Sequence, residues 1–331
     1  MQAIGGVSSI AGSKRRRDRP IPRLRCLEVA AEHLRVAVLG PGAVGGLLAA
    51  LLARAGNSVV VLAGESTAQA IDERGIRVES GRFGDFEVRV DSAVRLQRDV
   101  DFCLVTVKAT QLDEALERVP ADALGKALVV PFLNGIDHVE HLRRTYPSSD
   151  VAPATMRVEV ARIEPGLIRQ LSPFAAIDIA PPASRQREVE VLAAQLTAAG
   201  FDVRVREDET AMLWDKLALL APLALLTTHA HANVGEIRTR RRDDAIALIT
   251  EIASVARAEG ATADSEATLR LLDAAPPAME TSMQRDQAAG LPLELDAIGG
   301  SVLRRAARAG VAVPVTARLV EELRERSSRR V

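Results

Sequence analysis

The stretch Val36-Ala37-Val38-Leu39-Gly40-Pro41-Gly42-Ala43-Val44-Gly45-Gly46 decides how this chain is read. Four apolar residues of strand type run straight into a Gly-x-Gly-x-x-Gly turn. An apolar helical run, Leu47 to Ala55, follows and stops at Gly56, and a second strand, Val59 to Leu62, comes next. That is a βαβ unit. Each glycine has a reason in this setting. Gly40 permits the tight turn, Gly42 lets the backbone approach a pyrophosphate, and Gly45 lets helix and strand pack closely. The N–H groups of Ala43 and Val44, at the free end of the helix, would then face an anion. A purely structural glycine turn has the same letters, but the strand before it and the helix after it favour dinucleotide binding.

Outward from this unit, strand candidates follow at Phe102–Thr106, Val129–Phe132, Val151–Val160, Ala175–Ile179 and Phe201–Val205, with helical patterns at Gln111–Arg118 and Arg185–Ala199. Such alternation predicts an α/β fold, a mostly parallel, doubly wound sheet. Beyond Arg206 the periodicity turns helical: Glu209–Thr228, Asp243–Glu259, Ala275–Ala289, Leu293–Ala309 and Val315–Ser327. Turn signals at Gly260, Pro276-Pro277, Gly290 and Gly310 punctuate it. The expected organisation is a basic, disordered extension over 1–34, a dinucleotide-binding domain over 35–207 and an all-helical domain over 208–331.

Bulk composition removes several function classes. The 331 residues are 47% hydrophobic, enough for two domains each with a core. Basic and acidic residues nearly balance, 43 against 44, and aromatics are only 2%, so neither a basic field nor stacking platforms point to nucleic acid. Two cysteines, Cys26 and Cys103, make no disulfide framework, which suits a reducing cytoplasm; Cys103 lies in an apolar run and reads as a buried thiol. Paired arginines near the N-terminus suggest a twin-arginine export signal, but the residues after them are too charged for its hydrophobic region. The longest apolar run, Leu217 to Leu226, is about half a membrane span and contains Pro222, so it reads as a buried helix and no membrane is implied. A homodimer stays open.

Candidate chemistry gathers at strand ends and at one helix. Lys108 and Asn134 close successive strands, and the carboxyl ends of such strands line the ligand crevice. Glu65, after the second strand, reads either as a partner for a ribose 2′-hydroxyl, which suits NAD, or as a solvated loop residue. No arginine stands at that edge of the sequence to hold a 2′-phosphate. The chain has only four lysines, Lys14, Lys108, Lys126 and Lys216. Where arginine serves for generic positive charge, a retained lysine points to proton chemistry, which arginine cannot perform near neutral pH. Lys216 heads the first helix of the second region, where it either snorkels to solvent or faces the junction of the two halves. Glu294 sits between leucines at a helix start, as a site carboxylate or a helix-dipole partner. The histidines form no catalytic pattern, and no metal-ligand cluster is visible.

Taken together, Gly40-Pro-Gly-Ala-Val-Gly-Gly, Lys108-Ala-Thr-Gln111, Leu133-Asn134-Gly135, Trp214-Asp-Lys216-Leu, Ser282-Met283, Glu294-Leu-Asp296 and Gly310-Val-Ala-Val-Pro314 resemble the motifs of the ketopantoate reductase family, in order and spacing, over about residues 35–325. The resemblance implies a Rossmann-type domain followed by a helical domain, and NADPH-dependent reduction of 2-dehydropantoate to pantoate in pantothenate and coenzyme A synthesis. It implies NADP as cofactor with NAD as the alternative. Gly40, Gly42, Ala43, Val44, Gly45, Lys108 and Asn134 would hold the cofactor, with Glu65 added from the strand-end reading alone. Lys216 would be the general acid, while Asn134, Ser282 and Glu294 would hold a small 2-oxo acid. The chain departs from the family pattern at Leu220, Ala224 and Met279, where asparagine is usual, and it lacks the usual arginine near Gly64. Those departures motivate two alternatives: a reductase of a more apolar 2-oxo or 2-hydroxy acid, and a cofactor-binding sensor without turnover.

Overall fold

A computed structural model describes residues 33–328 of the chain. All but the last two residues of the basic segment expected over 1–34 lie outside them, as do Lys14 and Cys26. The first unit is β1 (Arg35–Leu39), α1 (Ala43–Arg54) and β2 (Ser58–Leu62). β1 and β2 pair in parallel with Leu39 opposite Leu62, and four of the five residues in each are buried. Strands covered on both faces need such unbroken apolar runs. The chain continues through α2 (Glu65–Arg74), β3 (Ile76–Glu79), β4 (Phe86–Val88), β5 (Asp91–Ala93), β6 (Phe102–Val105), α3 (Leu112–Leu116), α4 (Ala121–Leu124), β7 (Leu128–Pro131) and α5 (Asp137–Thr145). The parallel sheet has the order β5-β2-β1-β6-β7. Strand order reverses beside β1, so a crevice opens at the carboxyl ends of β1 and β6.

A second sheet was not legible as such. The segments expected as separate strands at 151–160 and 175–179 belong to one antiparallel hairpin, β8 (Ala154–Glu164) and β9 (Leu167–Ile179), turned at Pro165-Gly166 with Gly166 at φ +83°. With α6 (Gln186–Ala198) and β10 (Asp202–Val205) it builds a mixed sheet of order β10-β9-β3-β4, with β8 on β9. The start of β9 alternates buried and exposed residues, so its apolar positions are too scattered to read as a run.

From Asp208 onward the described chain is helical: α7 (Glu209–Ala230), α8 (Val234–Arg240), α9 (Arg242–Ala258), α10 (Ser265–Ala274), α11 (Ser282–Ala288), a π-helical turn (Asp296–Gly300), α12 (Ser301–Ala309) and α13 (Pro314–Ser328). The helix expected over 275–289 is confined to α11, because Pro276 and Pro277 open a turn closed by the Met279 N–H on Pro276 O at 3.0 Å, and α10 was not foreseen. Asp208 caps α7 by accepting the Ala211 N–H at 2.9 Å. α7 is long and apolar enough to cross a membrane by length and composition alone, yet most of it is buried against the other helices.

The apolar core forms two clusters, and they do not divide at residue 207. Val36 and Val38 of β1 face one way, onto Leu47 and Leu51 of α1, Ile177 of β9 and Leu192 of α6. Ala37 and Leu39 face the other way, and their cluster runs through Ile136 and Val139 into Leu217 of α7, Ile252 of α9 and Leu323 of α13. The period-two alternation of a single strand thus joins the sheet to both layers.

Candidate active site

The glycine turn is held from three sides. Gly40, at φ +87°, donates its N–H to Leu62 O at 3.0 Å, and Gly42 N–H closes on Gly40 O at 2.7 Å. The Thr106 hydroxyl, 2.9 Å from Leu39 O and 2.8 Å from Gly40 O, ties the turn to the end of β6. A methyl group on Gly45 would overlap Thr106 Oγ1 and Gly40 O, so only glycine fits there. Gly42 is different: a methyl group there would meet only Gly40 O, at 3.9 Å, and otherwise open space. No side chain caps α1. The first-turn N–H groups, Ala43 and Val44 among them, are therefore left for an anion, and the turn fits a dinucleotide.

Further along the carboxyl edge, the two halves of the chain are clasped together. Glu294, 5% exposed, accepts the Ala109 N–H at 3.0 Å through one oxygen and the Asn134 amide at 2.9 Å through the other. Lys108 Nζ meets Asp286 Oδ1 at 2.6 Å. Gly135, at φ +79°, lies so close to the Ala297 carbonyl that no Cβ fits. Arg304 and Arg305 of α12 both pair with Asp137, at 2.8 and 3.0 Å. Lys108, Asn134 and Glu294, singled out from three distant segments, meet in one place.

Lys216 lies on the second turn of α7 and has no hydrogen-bond or ion-pair partner among the described residues, although the carboxylate of Glu294 is near enough to act on it. Burial lowers its pKa to about 8, with Glu294 opposing and Arg157 assisting the shift. His138 of α5, 6% exposed, is brought to the same neighbourhood. Burial, and then the charge of Lys216, push its pKa down to about 3 against the pull of Asp137, so it is neutral. Neither ring nitrogen has a partner in the structure. Nothing local marked Asp286 or Thr106. Of the three lysines described, Lys108 and Lys216 are at the cleft and Lys126 is on the surface.

Other sequence candidates are placed less tightly. Ser282 is exposed on the first turn of α11, after Thr281, whose hydroxyl caps that helix. Glu65 is the exposed first residue of α2. Ala224 is buried in the helical core, and Leu220 and Met279 pack partly buried against the same cluster. The sequence around Gly64 offered no arginine at the end of β2. The β2–α2 segment contains none, but the fold carries the Arg118 guanidinium there, 3.8 Å from where a Cβ on Gly64 would stand.

A glycine-rich turn at a sheet switch point, facing a cleft with a desolvated lysine and a buried carboxylate, defines a dinucleotide-dependent oxidoreductase. Two family models match the chain: one described as ketopantoate reductase PanE/ApbA, over residues 36–183, and its C-terminal counterpart, over residues 208–327. A curated 2-dehydropantoate 2-reductase of Mycobacterium tuberculosis is 33% identical over 299 residues, covering 86% of this chain and 95% of that protein. The crystal structure of a PanE/ApbA family ketopantoate reductase from Ralstonia eutropha superposes with a TM-score of 0.81 at 29% identity, over 90% of this chain and 99% of that one. A ternary structure of D-mandelate dehydrogenase with NADH and anilino(oxo)acetate shares the fold, with a TM-score of 0.82 at 20% identity over 90% and 99% of the two chains. The chain belongs to the ketopantoate reductase family and is an NAD(P)-dependent oxidoreductase.

Proposed function

We propose that this chain reduces a small 2-oxo acid to the 2-hydroxy acid, with 2-dehydropantoate as the substrate to which the family and the curated relatives point. The observation that carries this reading is the unpartnered, desolvated ammonium of Lys216 beside Glu294. The nicotinamide, when bound, supplies the hydride. Negative charge then grows on the ketone oxygen, and Lys216 Nζ stabilises that charge and delivers the proton. A lysine with a pKa of about 8 is mostly protonated at neutral pH, yet gives up its proton far more readily than one in water. Asn134 and Glu294 border the substrate, Ser282 reaches it from the mouth of the cleft, and Gly40, Gly42, Ala43, Val44 and Gly45 hold the pyrophosphate. Residues 35–207 form the cofactor half and 208–331 the substrate half, and the reaction runs in the cytoplasm.

A second reading has its own observation. The positions one and two turns beyond Lys216 are Leu220 and Ala224, and Met279 packs against the same cluster. A pocket with aliphatic groups where a hydroxyl would need partners favours a more apolar 2-oxo acid. NADPH and NADH oxidation with 2-dehydropantoate and a panel of apolar 2-oxo acids, for wild type and Lys216→Ala, separates the cases. Turnover of 2-dehydropantoate that the substitution abolishes supports the first reading. Preference for an apolar acid supports the second. Bound cofactor with no turnover of any 2-oxo acid leaves a sensor.

A further inference from the structure

The end of β2 is where a dinucleotide's adenosine ribose is read, by an acidic residue for a free 2′-hydroxyl or an arginine for a 2′-phosphate. In this chain the two signals come from different elements. Glu65 is exposed at the first position of α2 and has no partner among the described residues, so it is free to turn into solvent. Arg118, from the segment after α3, is held in place. Its N–H donates to Ala115 O at 3.0 Å and its carbonyl accepts the Leu96 N–H at 2.8 Å. Its guanidinium reaches Val94 O at 3.5 Å through Nη1, leaving Nη2 beside Gly64. The nearest carboxylate, Glu114, is 3.8 Å away and 77% exposed, a weak tie that a better anion would replace. Gly64 has no side chain to block the approach. A cavity of about 280 Å³ next to this point is lined by Leu62, Ala93 and Leu96, with Arg95 contributing a second positive charge.

We propose that Arg118 binds the cofactor's ribose 2′-phosphate and makes the enzyme selective for NADPH over NADH, with Glu65 playing no part in the choice. This rests on the cofactor reading above. A planar guanidinium suits bidentate contact with a phosphate, and Arg118 is only 25% exposed, so the charge-assisted bonds are partly shielded from water. Dissociation constants for NADPH and NADH, measured by isothermal titration calorimetry on the full chain, test it. Wild type is expected to bind NADPH about 10- to 100-fold more tightly than NADH. Arg118→Gln should lose that margin with NADH affinity unchanged, Arg118→Lys should keep part of it, and Glu65→Gln should leave it intact. Thermal melts confirm that the variants are folded. Equal loss for both cofactors, an unchanged ratio in Arg118→Gln, or a wild type that prefers NADH overturns the assignment while leaving the reductase reading standing. A wild type that binds neither cofactor overturns both.

Discussion

The glycine turn after β1 and the cleft between residues 108–138 and 282–297 are the two candidate binding regions, and they are made in opposite ways. The turn is one contiguous stretch whose work is done by backbone N–H groups and by the absence of side chains. The cleft is assembled from residues up to 185 positions apart, as in the bond from the Ala109 backbone N–H to the Glu294 carboxylate. The difference teaches where each is vulnerable. In the turn, an added methyl group is the damaging change; in the cleft, a lost charge is.

The largest expected effect is in the cleft. Lys216→Ala should lower kcat about 10²- to 10⁴-fold, the usual span for removing a general acid, while the dissociation constant of NADPH stays near wild type. If cofactor binding fell in parallel, the two regions would not be separable. The same residue sets a pH limit. In the proposed reaction the ammonium must be protonated, so kcat/KM for reduction should fall as pH rises through about 8. Stability moves the other way. Between about 8 and the ordinary lysine value of 10.5 the unfolded chain binds more protons than the folded one, so stability should rise with pH across that window. A pH series of denaturant melts on wild type and Lys216→Met would show the rise in the former only.

Next in size, Glu294→Ala leaves the Ala109 N–H and the Asn134 amide without their acceptor and should cost about 2–4 kcal/mol, measured by urea unfolding. Glu294→Gln should recover part of this, because an amide oxygen still accepts one bond. Within the turn, Gly45→Ala should cost about 1–3 kcal/mol, because the new methyl group overlaps Thr106 and Gly40. Gly42→Ala should leave the melting temperature nearly unchanged and weaken cofactor binding instead. Equal destabilisation by both would remove the distinction drawn between a packing glycine and an approach glycine.

The smallest effects belong to charge pairs. Lys108→Met breaks the pair with Asp286, but Lys108 is 39% exposed, so the stability change should stay within about 1 kcal/mol. Asp178 behaves differently. It is buried among Arg157, Arg204 and Arg206. Burial alone would raise its pKa, but the hydrogen bond from Arg204 and the bond and charge of Arg157 outweigh this and hold it below the ordinary carboxylate value. Its contribution is present above the unfolded-state pKa and is lost as pH falls through the lower folded one, so Asp178→Asn should flatten the acid limb of the stability profile.

Much of this protein was legible without coordinates, for physical reasons that are local. The β1–α1–β2 unit could be read because strand periodicity, glycine geometry and helix capping all act within a few residues of each other. Lys216 stood out because lysine is scarce in an arginine-rich chain and, unlike arginine, can release a proton near neutral pH. The β8–β9 hairpin escaped because its apolar positions are scattered among exposed and half-buried ones, and α10 because the helical pattern near Pro276-Pro277 was assigned to one side of the prolines when helices stand on both. Tertiary structure alone decided the partners. That Asp286 holds Lys108, that His138 sits neutral beside Lys216, and that the Arg118 guanidinium comes to stand beside Gly64 all depend on contacts between distant segments. Sequence spacing carries no information about such contacts until the chain has buried its core, and the core here runs unbroken from β1 into the helices that carry Lys216 and its neighbours.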